Sequence, residues 1–130
     1  MVMSTENETF CTVINCMDGR VQDAVNAWMK RRFEAAYVDV ITEAGPNGVL
    51  ARYDDTTIVE SIFRRVEVSV HTHGSRHVAL VGHEDCAGNP GSRTDQVGQV
   101  RTAVKRIAAR VDSAEVIGLW VELSGRIEEL

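Results

Sequence analysis

Two short segments hold the side chains best suited to metal and proton chemistry. Thr12-Val13-Ile14-Asn15-Cys16-Met17-Asp18-Gly19-Arg20 ends an apolar run in Cys16, Asp18 and Arg20, and Val78-Ala79-Leu80-Val81-Gly82-His83-Glu84-Asp85-Cys86 ends another in His83 and Cys86. Two thiolates and one imidazole match the three protein ligands that catalytic zinc commonly takes, with a fourth position kept for water. Thiolates also favour zinc over hard ions such as magnesium. The His-x-x-Cys spacing lets one tight turn deliver both donors to one centre. On ligand chemistry and topology alone, a plain core role is an even alternative, because a cysteine is commonly a small core hydrophobe. Cys11, inside the first apolar run, is read that way. Asp18 and Arg20 stand beside Cys16 as a carboxylate–guanidinium pair that could keep the carboxylate ionised and aim it at a metal-bound water. The plain alternative is a surface ion pair at a helix start.

These residues meet only if the elements that carry them end side by side. The β-formers of Phe10–Asn15 predict a strand. Arg20–Phe33 predicts a helix, with Val21, Val25, Trp28, Met29 and Phe33 near one face. Tyr37–Thr42 reads as a second strand. Glu43–Tyr53, with Gly45-Pro46-Asn47-Gly48, reads as a loop. Asp54-Asp55-Thr56-Thr57 suits a helix start, Thr57 and Glu60 having capping-box spacing; that helix runs through Ile58, Ile62, Val66 and Val70 and fades near Gly74. His77–Gly82 is a continuous apolar run of the fully buried, parallel kind. A loop at Asn89-Pro90-Gly91-Ser92, a helix over Val97–Val111, a strand over Glu115–Leu123, a turn at Ser124-Gly125 and a short strand over Arg126–Leu130 complete the chain. The alternation predicts an α/β fold: a mostly parallel four-stranded sheet of order 2-1-3-4, helices on both faces, and an antiparallel C-terminal edge strand. Ligands in such sheets bind beyond the carboxyl ends of the strands, where Cys16, His83 and Cys86 fall.

The 130 residues suggest one domain, with residues 1–9 as a loose start. Fourteen Lys and Arg against 19 Asp and Glu give a net charge of −5, with the cations scattered, which argues against a nucleic-acid surface. No apolar stretch approaches the ~20 residues of a membrane span, and the polar start lacks the apolar core of a secretory signal. Three cysteines, an odd count, favour reduced thiols in the cytoplasm over a disulfide framework. His71 and His73 fall at a helix end, where positive charge is favoured.

Cys16-Met17-Asp18-Gly19-Arg20 with His83-Glu84-Asp85-Cys86 resembles the β-class carbonic anhydrase family, whose pattern is Cys-x-Asp-x-Arg followed by His-x-x-Cys. Glu43-Ala44-Gly45 falls where that family has Asn-Ala-Gly after its second strand. The ending, Gly118 to Leu130, resembles the family's final strand, turn and short strand. The resemblance implies that Cys16, His83 and Cys86 ligate one Zn2+ per chain. It implies an Asp18–Arg20 dyad, with Asp18 either bonded to the zinc-bound water or serving as a fourth ligand. Gly45, Ala87 and Gly88 would form the substrate rim. The implied reaction is reversible hydration of CO2 to bicarbonate by a metal-bound hydroxide. The implied assembly is a homodimer or higher homo-oligomer with active sites at the subunit interface. Two alternatives keep the metal: a zinc hydrolase of carbon disulfide or carbonyl sulfide, and a catalytically silent zinc-binding homologue. A thiol phosphatase fits less well, because six residues separate Cys86 from Arg93 where that pattern has five. The chain departs from the family at Gly19 (commonly Ser), at Glu43 (Asn) and at Ala87 (Gly), where a positive φ would be strained in alanine. Only about nine residues precede the first strand, where the family carries a helical arm, so a pocket that is open, altered or completed by other residues is expected.

Overall fold

The computed structural model describes residues 9–130. Its elements are β1 (Phe10–Cys16), a 3-10 turn (Gly19–Val21), α1 (Gln22–Phe33), β2 (Tyr37–Glu43), α2 (Pro46–Arg52), α3 (Thr56–Glu67) running into a π-helical turn (Val68–Thr72), β3 (His77–His83), α4 (Arg93–Arg110), β4 (Glu115–Val121) and β5 (Ile127–Glu129). They form one sheet of order β2-β1-β3-β4-β5. The first four strands are parallel, and β5 is antiparallel to β4 through Leu119↔Glu129 and Val121↔Ile127. The α/β class, the 2-1-3-4 order and the antiparallel edge strand agree with the sequence reading.

The continuous apolar runs follow from burial on both faces. Successive strand residues point to opposite sides, so β1 sends Cys11 and Val13 to one face and Ile14 to the other, while β3 sends Ala79 and Val81 to the first face and Val78 and Leu80 to the second. On the first face, Val21, Val25 and Met29 of the turn and α1 cover the sheet. On the second, Leu50 of α2, Val59, Ile62, Phe63 and Val66 of α3, and Val100, Ala103 and Ile107 of α4 do so. Two glycines let α4 press close. A Cβ on Gly82 would lie 2.7 Å from Val100, and one on Gly118 would lie 2.5 Å from the same side chain. Any larger residue at either position would push α4 off β3 and β4.

Several local readings change. Most of the expected Glu43–Tyr53 loop is helical, as α2. Gly45 enters with φ +59° and Pro46 supplies a preset first helical residue, so the turn signal marked a helix start. Helix α4 begins at Arg93, four residues before the expected Val97, because the Ser92 side chain accepts the Asp95 N–H and caps it. The cap of α3 is Asp55, whose carboxylate accepts the Ile58 N–H, and Thr57 lies inside the first turn. Of the expected loose start, residues 1–8 lie outside the described residues. Thr9 is tied down, its carbonyl accepting the N–H groups of Ala36 and Tyr37. Among the described residues, no helix is long and apolar enough to cross a membrane.

The capping assignment is testable by urea unfolding. Asp55→Ala is expected to lower stability by about 1 kcal/mol, the usual loss of an N-cap. Thr57→Ala, which removes no cap, is expected to change it by less than half of that. The reverse ranking would restore the Thr57–Glu60 capping box.

Candidate metal centre

Strand order creates a crevice at one place. From β1 the chain passes to β2 on one side, and β3 then returns on the other side of β1. The β1–β3 ladder pairs Thr12 with Val78 and Ile14 with Leu80. Beyond that pairing β1 runs on to Cys16 and β3 to His83. A split beyond the carboxyl ends of neighbouring strands is where open α/β sheets take ligands.

Cys16, His83 and Cys86 all meet in that split. Their donor atoms lie within 4.8 Å of one another, the two sulfurs are 3.9 Å apart, and all three residues are at least 96% buried. The Nδ1 of His83 bonds the Glu84 carbonyl at 2.7 Å. A carbonyl only accepts, so Nδ1 carries the proton and Nε2 is left with a free lone pair. That Nε2 is buried with no hydrogen-bond partner among protein atoms. Two sulfurs at ~2.3 Å from a tetrahedral cation would be about 3.8 Å apart. The observed spacing, the orphaned imidazole nitrogen and the soft donor set therefore fit a tetrahedral cation of the zinc type.

The protein's own charges bias the three donors. Burial pushes the Cys16 thiol up, but the approach of His83 and the N–H groups of Gly45 and Asp18 outweigh it, and the net direction is down. For Cys86, burial and the neighbouring Cys16 both push the thiol up. Burial opposes the charged form of His83, yet its contacts with Cys16 and the Glu84 carbonyl raise it overall. The surroundings thus bias the two thiols in opposite directions, Cys16 toward the thiolate and Cys86 toward the thiol.

Asp18 and Arg20, just after Cys16 in the chain, pair with one another. Arg20 Nη2 meets Asp18 Oδ2 at 2.7 Å and its Nε reaches both carboxylate oxygens. The Asp18 carboxylate also accepts the Arg20 backbone N–H at 2.9 Å. These bonds hold Asp18 well below the usual carboxylate range, at about 2. Arg20 reaches further, to the Asp85 carboxylate at 3.3 Å and the Asp85 carbonyl at 3.1 Å. Asp85 has φ +56°, a left-handed conformation unusual for a residue with a side chain. Sequence reasoning placed possible strain at Ala87, which has no positive φ. The reversal that returns Cys86 to His83 falls two residues earlier and is held from across the crevice by Arg20.

The expected rim lies close by. Gly45, at φ +59°, packs against Gly88 and Asn89, and a Cβ on Gly88 would lie 2.8 Å from Ala44. Ala87 and Gly88 are exposed and Gly45 is buried. His73 and His77 are engaged elsewhere. His77 opens β3 and bonds Glu115, and His73 bonds Asp39; six residue steps of strand, about 20 Å, separate His77 from His83. Arg93, the distant end of the phosphatase pattern, pairs with Glu128 and lies over Trp120. Sequence reasoning missed Asp85, Asn15 and Gln22. The Asn15 side chain accepts the Cys16 N–H and donates to the Val21 carbonyl. Gln22 donates to the Cys16 and Asp18 carbonyls. The available signal was polarity at a strand end and in the first helical turn.

The dyad sets a pH window. An unfolded aspartate titrates near ~3.9, so the stability that the pair contributes is present above that pH and is lost as pH falls toward 2. Carbon-13 titration of the side-chain carboxyl should give a midpoint near 2 for Asp18 and a return toward ~4 in Arg20→Leu. An ordinary midpoint in the unmodified chain would refute the pairing.

Comparison with known proteins agrees with this geometry. Residues 6–130 match the family model described as "Putative carbonic anhydrase". Among solved structures, β-carbonic anhydrase isoform I of Trichomonas vaginalis aligns at 16% identity with a TM-score of 0.63, covering 99% of this chain and 86% of that one. A carbonic anhydrase from Streptococcus mutans aligns at 13% identity and a TM-score of 0.61, covering 98% and 87%. A β-carbonic anhydrase of Sordaria macrospora, described as tetrameric, aligns at 18% identity and 0.55, covering 95% and 81%. No curated protein matches the chain. At these identities the solved structures establish a shared fold, and the family match, spanning nearly the whole sequence, establishes that the chain belongs to this carbonic anhydrase family.

Proposed function

We propose that this chain is a zinc-dependent carbonic anhydrase that interconverts CO2 and bicarbonate. One observation carries the reading: a buried Cys–Cys–His donor cluster stands beside a carboxylate that Arg20 keeps ionised. Cys16, His83 and Cys86 would hold the ion. Zinc, when bound, supplies a Lewis acid that makes water nucleophilic near neutral pH.

The remaining work falls to the chain's own groups. Asp18 is ionised at any physiological pH, so it can only accept hydrogen bonds. It would accept one from the attacking water and so orient the oxygen lone pair toward the CO2 carbon. A carboxylate with a pKa of about 2 keeps a proton poorly at neutral pH, which makes Asp18 an orienting group more than a proton store. Arg20, engaged with Asp18 and Asp85, fixes that orientation and gives up no proton. His73 and His77, at the opposite edge of the sheet, take no part in relaying the proton, which would pass to solvent buffer.

We read the molecule as a single domain that assembles with copies of itself. Support comes from the tetrameric relative and from the outer strand β2, where Tyr37 and Val40 are exposed. Free Cys11, Cys16 and Cys86 suit a reducing, cytoplasmic setting.

Two variants test the enzyme reading. Cys86→Ser should lose stoichiometric zinc, measured by atomic absorption, and with it CO2 hydration in stopped flow. Asp18→Asn should keep the zinc and lose on the order of 10²-fold in rate, the usual worth of such a group. Stoichiometric zinc with no hydration between pH 6.5 and 9 would overturn the CO2 assignment, and turnover of carbon disulfide or carbonyl sulfide would then name the substrate.

A further inference from the structure

We propose that Asn47, Asn89, Gln96 and Gln99 are positioning residues of the metal centre. Their linked carboxamides lock the backbone of Gly45 and Gly88–Asn89 against the two cysteine ligands. The inference rests on the reading of Cys16, His83 and Cys86 as ligands, and it goes beyond that reading to the groups that orient them.

The four amides form a knot between three segments. Asn47 lies in the first turn of α2, Asn89 in the loop after Cys86, and Gln96 and Gln99 in the first turns of α4. Asn47 Nδ2 donates to Gln96 Oε1 at 2.6 Å. Asn89 Nδ2 donates to Gln99 Oε1 at 2.6 Å and to Gln96 Oε1 at 3.2 Å. Gln96 Nε2 donates back to the Asn89 carbonyl. Asn47 and Gln96 are 1% exposed and Asn89 is 5% exposed.

Such a knot is an expensive way to fill space. Three of the amides, Asn47, Asn89 and Gln96, are stripped of water, and an apolar cluster of the same volume would pack as well without that penalty. What the amides add is direction, because a fully bonded network fixes the backbone it holds. The backbone in question is the one at the ligands. A Cβ on Gly45 would sit 2.5 Å from Asn89 Cβ and 3.0 Å from the Gly88 carbonyl carbon, and one on Gly48 would sit 2.5 Å from Asn89 Oδ1. The two loops are therefore pressed together with no room for adjustment. At this junction the Asn89 N–H donates to the Cys86 carbonyl at 3.3 Å, and Gly45 follows two residues after Glu43, the strand partner of Cys16.

A backbone held from both sides fixes the direction in which the cysteine side chain beside it points, as partners behind a ligand commonly do.

Cobalt(II), whose thiolate charge-transfer absorption reports on metal–sulfur bonding, tests the idea on the full chain. Gln96→Leu removes the centre of the knot and touches no ligand. It should keep one cobalt per chain, shift the charge-transfer band, and lose about 10-fold in cobalt affinity against a competing chelator. If Gln96→Leu fails to fold, Gln99→Ala, at the half-buried end of the knot, should show the same changes in smaller measure. Ile107→Val, a core change on the same helix, should lower Tm without moving the band. An unshifted band and unchanged affinity in the folded amide variants would overturn the inference and leave the metal reading standing. Absence of any thiolate–cobalt band in the unmodified chain would overturn both.

Discussion

The chemistry of this molecule depends on β1 and β3 being neighbours that run parallel. Thr12 lies opposite Val78 and Ile14 opposite Leu80, which brings Cys16 and His83 to the same edge of the sheet across 67 residues of sequence. Antiparallel pairing would send one of them to the far edge. Parallel pairing in turn demands crossovers on the sheet faces, and these are the helices that bury β1 and β3 from both sides. The apolar runs in the sequence and the position of the donors thus have one cause. Burial then makes the donors useful, because thiols and an imidazole shielded from water act on one another and on a cation more strongly than they would at the surface.

The dyad and the donor cluster are mechanically one unit. Cys86 returns to His83 only through a reversal at Asp85, whose φ of +56° carries strain. Arg20 bonds both the carbonyl and the carboxylate of Asp85 while it holds Asp18. These contacts are largely exposed, so each contributes little on its own. Their effect is geometric: a guanidinium fixed on one side by a carboxylate steadies the turn that delivers Cys86 on the other. Asn15 and Gln22 perform the same task for Cys16, bonding the N–H and carbonyl that flank its side chain.

The fold was legible because burial on both faces leaves a coarse signal. Continuous runs such as Val78 to Val81 read as parallel strands, and the alternation of strands with amphipathic segments leaves few topologies to consider. The donor set was legible from residue type and from its position after two such runs. What escaped was set by local backbone geometry. Gly45-Pro46-Asn47-Gly48 carries a turn signal, and whether the chain turns once or continues into α2 depends on packing against α4 that lies 50 residues away in sequence. Asp55 and Thr57 are both good caps, and only the entry angle of the chain selects between them. The amides of Asn47, Asn89, Gln96 and Gln99 are ordinary polar residues in the sequence, because nothing in their spacing announces that three segments will converge.

The three departures from the family pattern bear on whether this frame is intact, and each is absorbed without distortion. A Cβ on Gly19 would meet nothing within 4 Å, and its φ is not positive, so glycine there neither fills a tight space nor relieves strain. Relative to serine it withdraws a hydroxyl beside Asp18 and leaves the backbone as it would be. Ala87 is outside the left-handed region, the reversal having been taken up by Asp85, so a glycine is not required. Glu43 brings a negative charge to the end of β2, yet Arg65 of α3 lies 4.0 Å from its carboxylate and the group is partly exposed, which limits its influence on the buried sulfurs. The substitutions thus alter hydroxyls and charges around the crevice while the strands, the turn and the amide knot that aim its donors keep their geometry. Any difference in rate or substrate between this chain and its relatives should therefore originate at the crevice's lining and approach, where side chains can change without moving Cys16, His83 or Cys86.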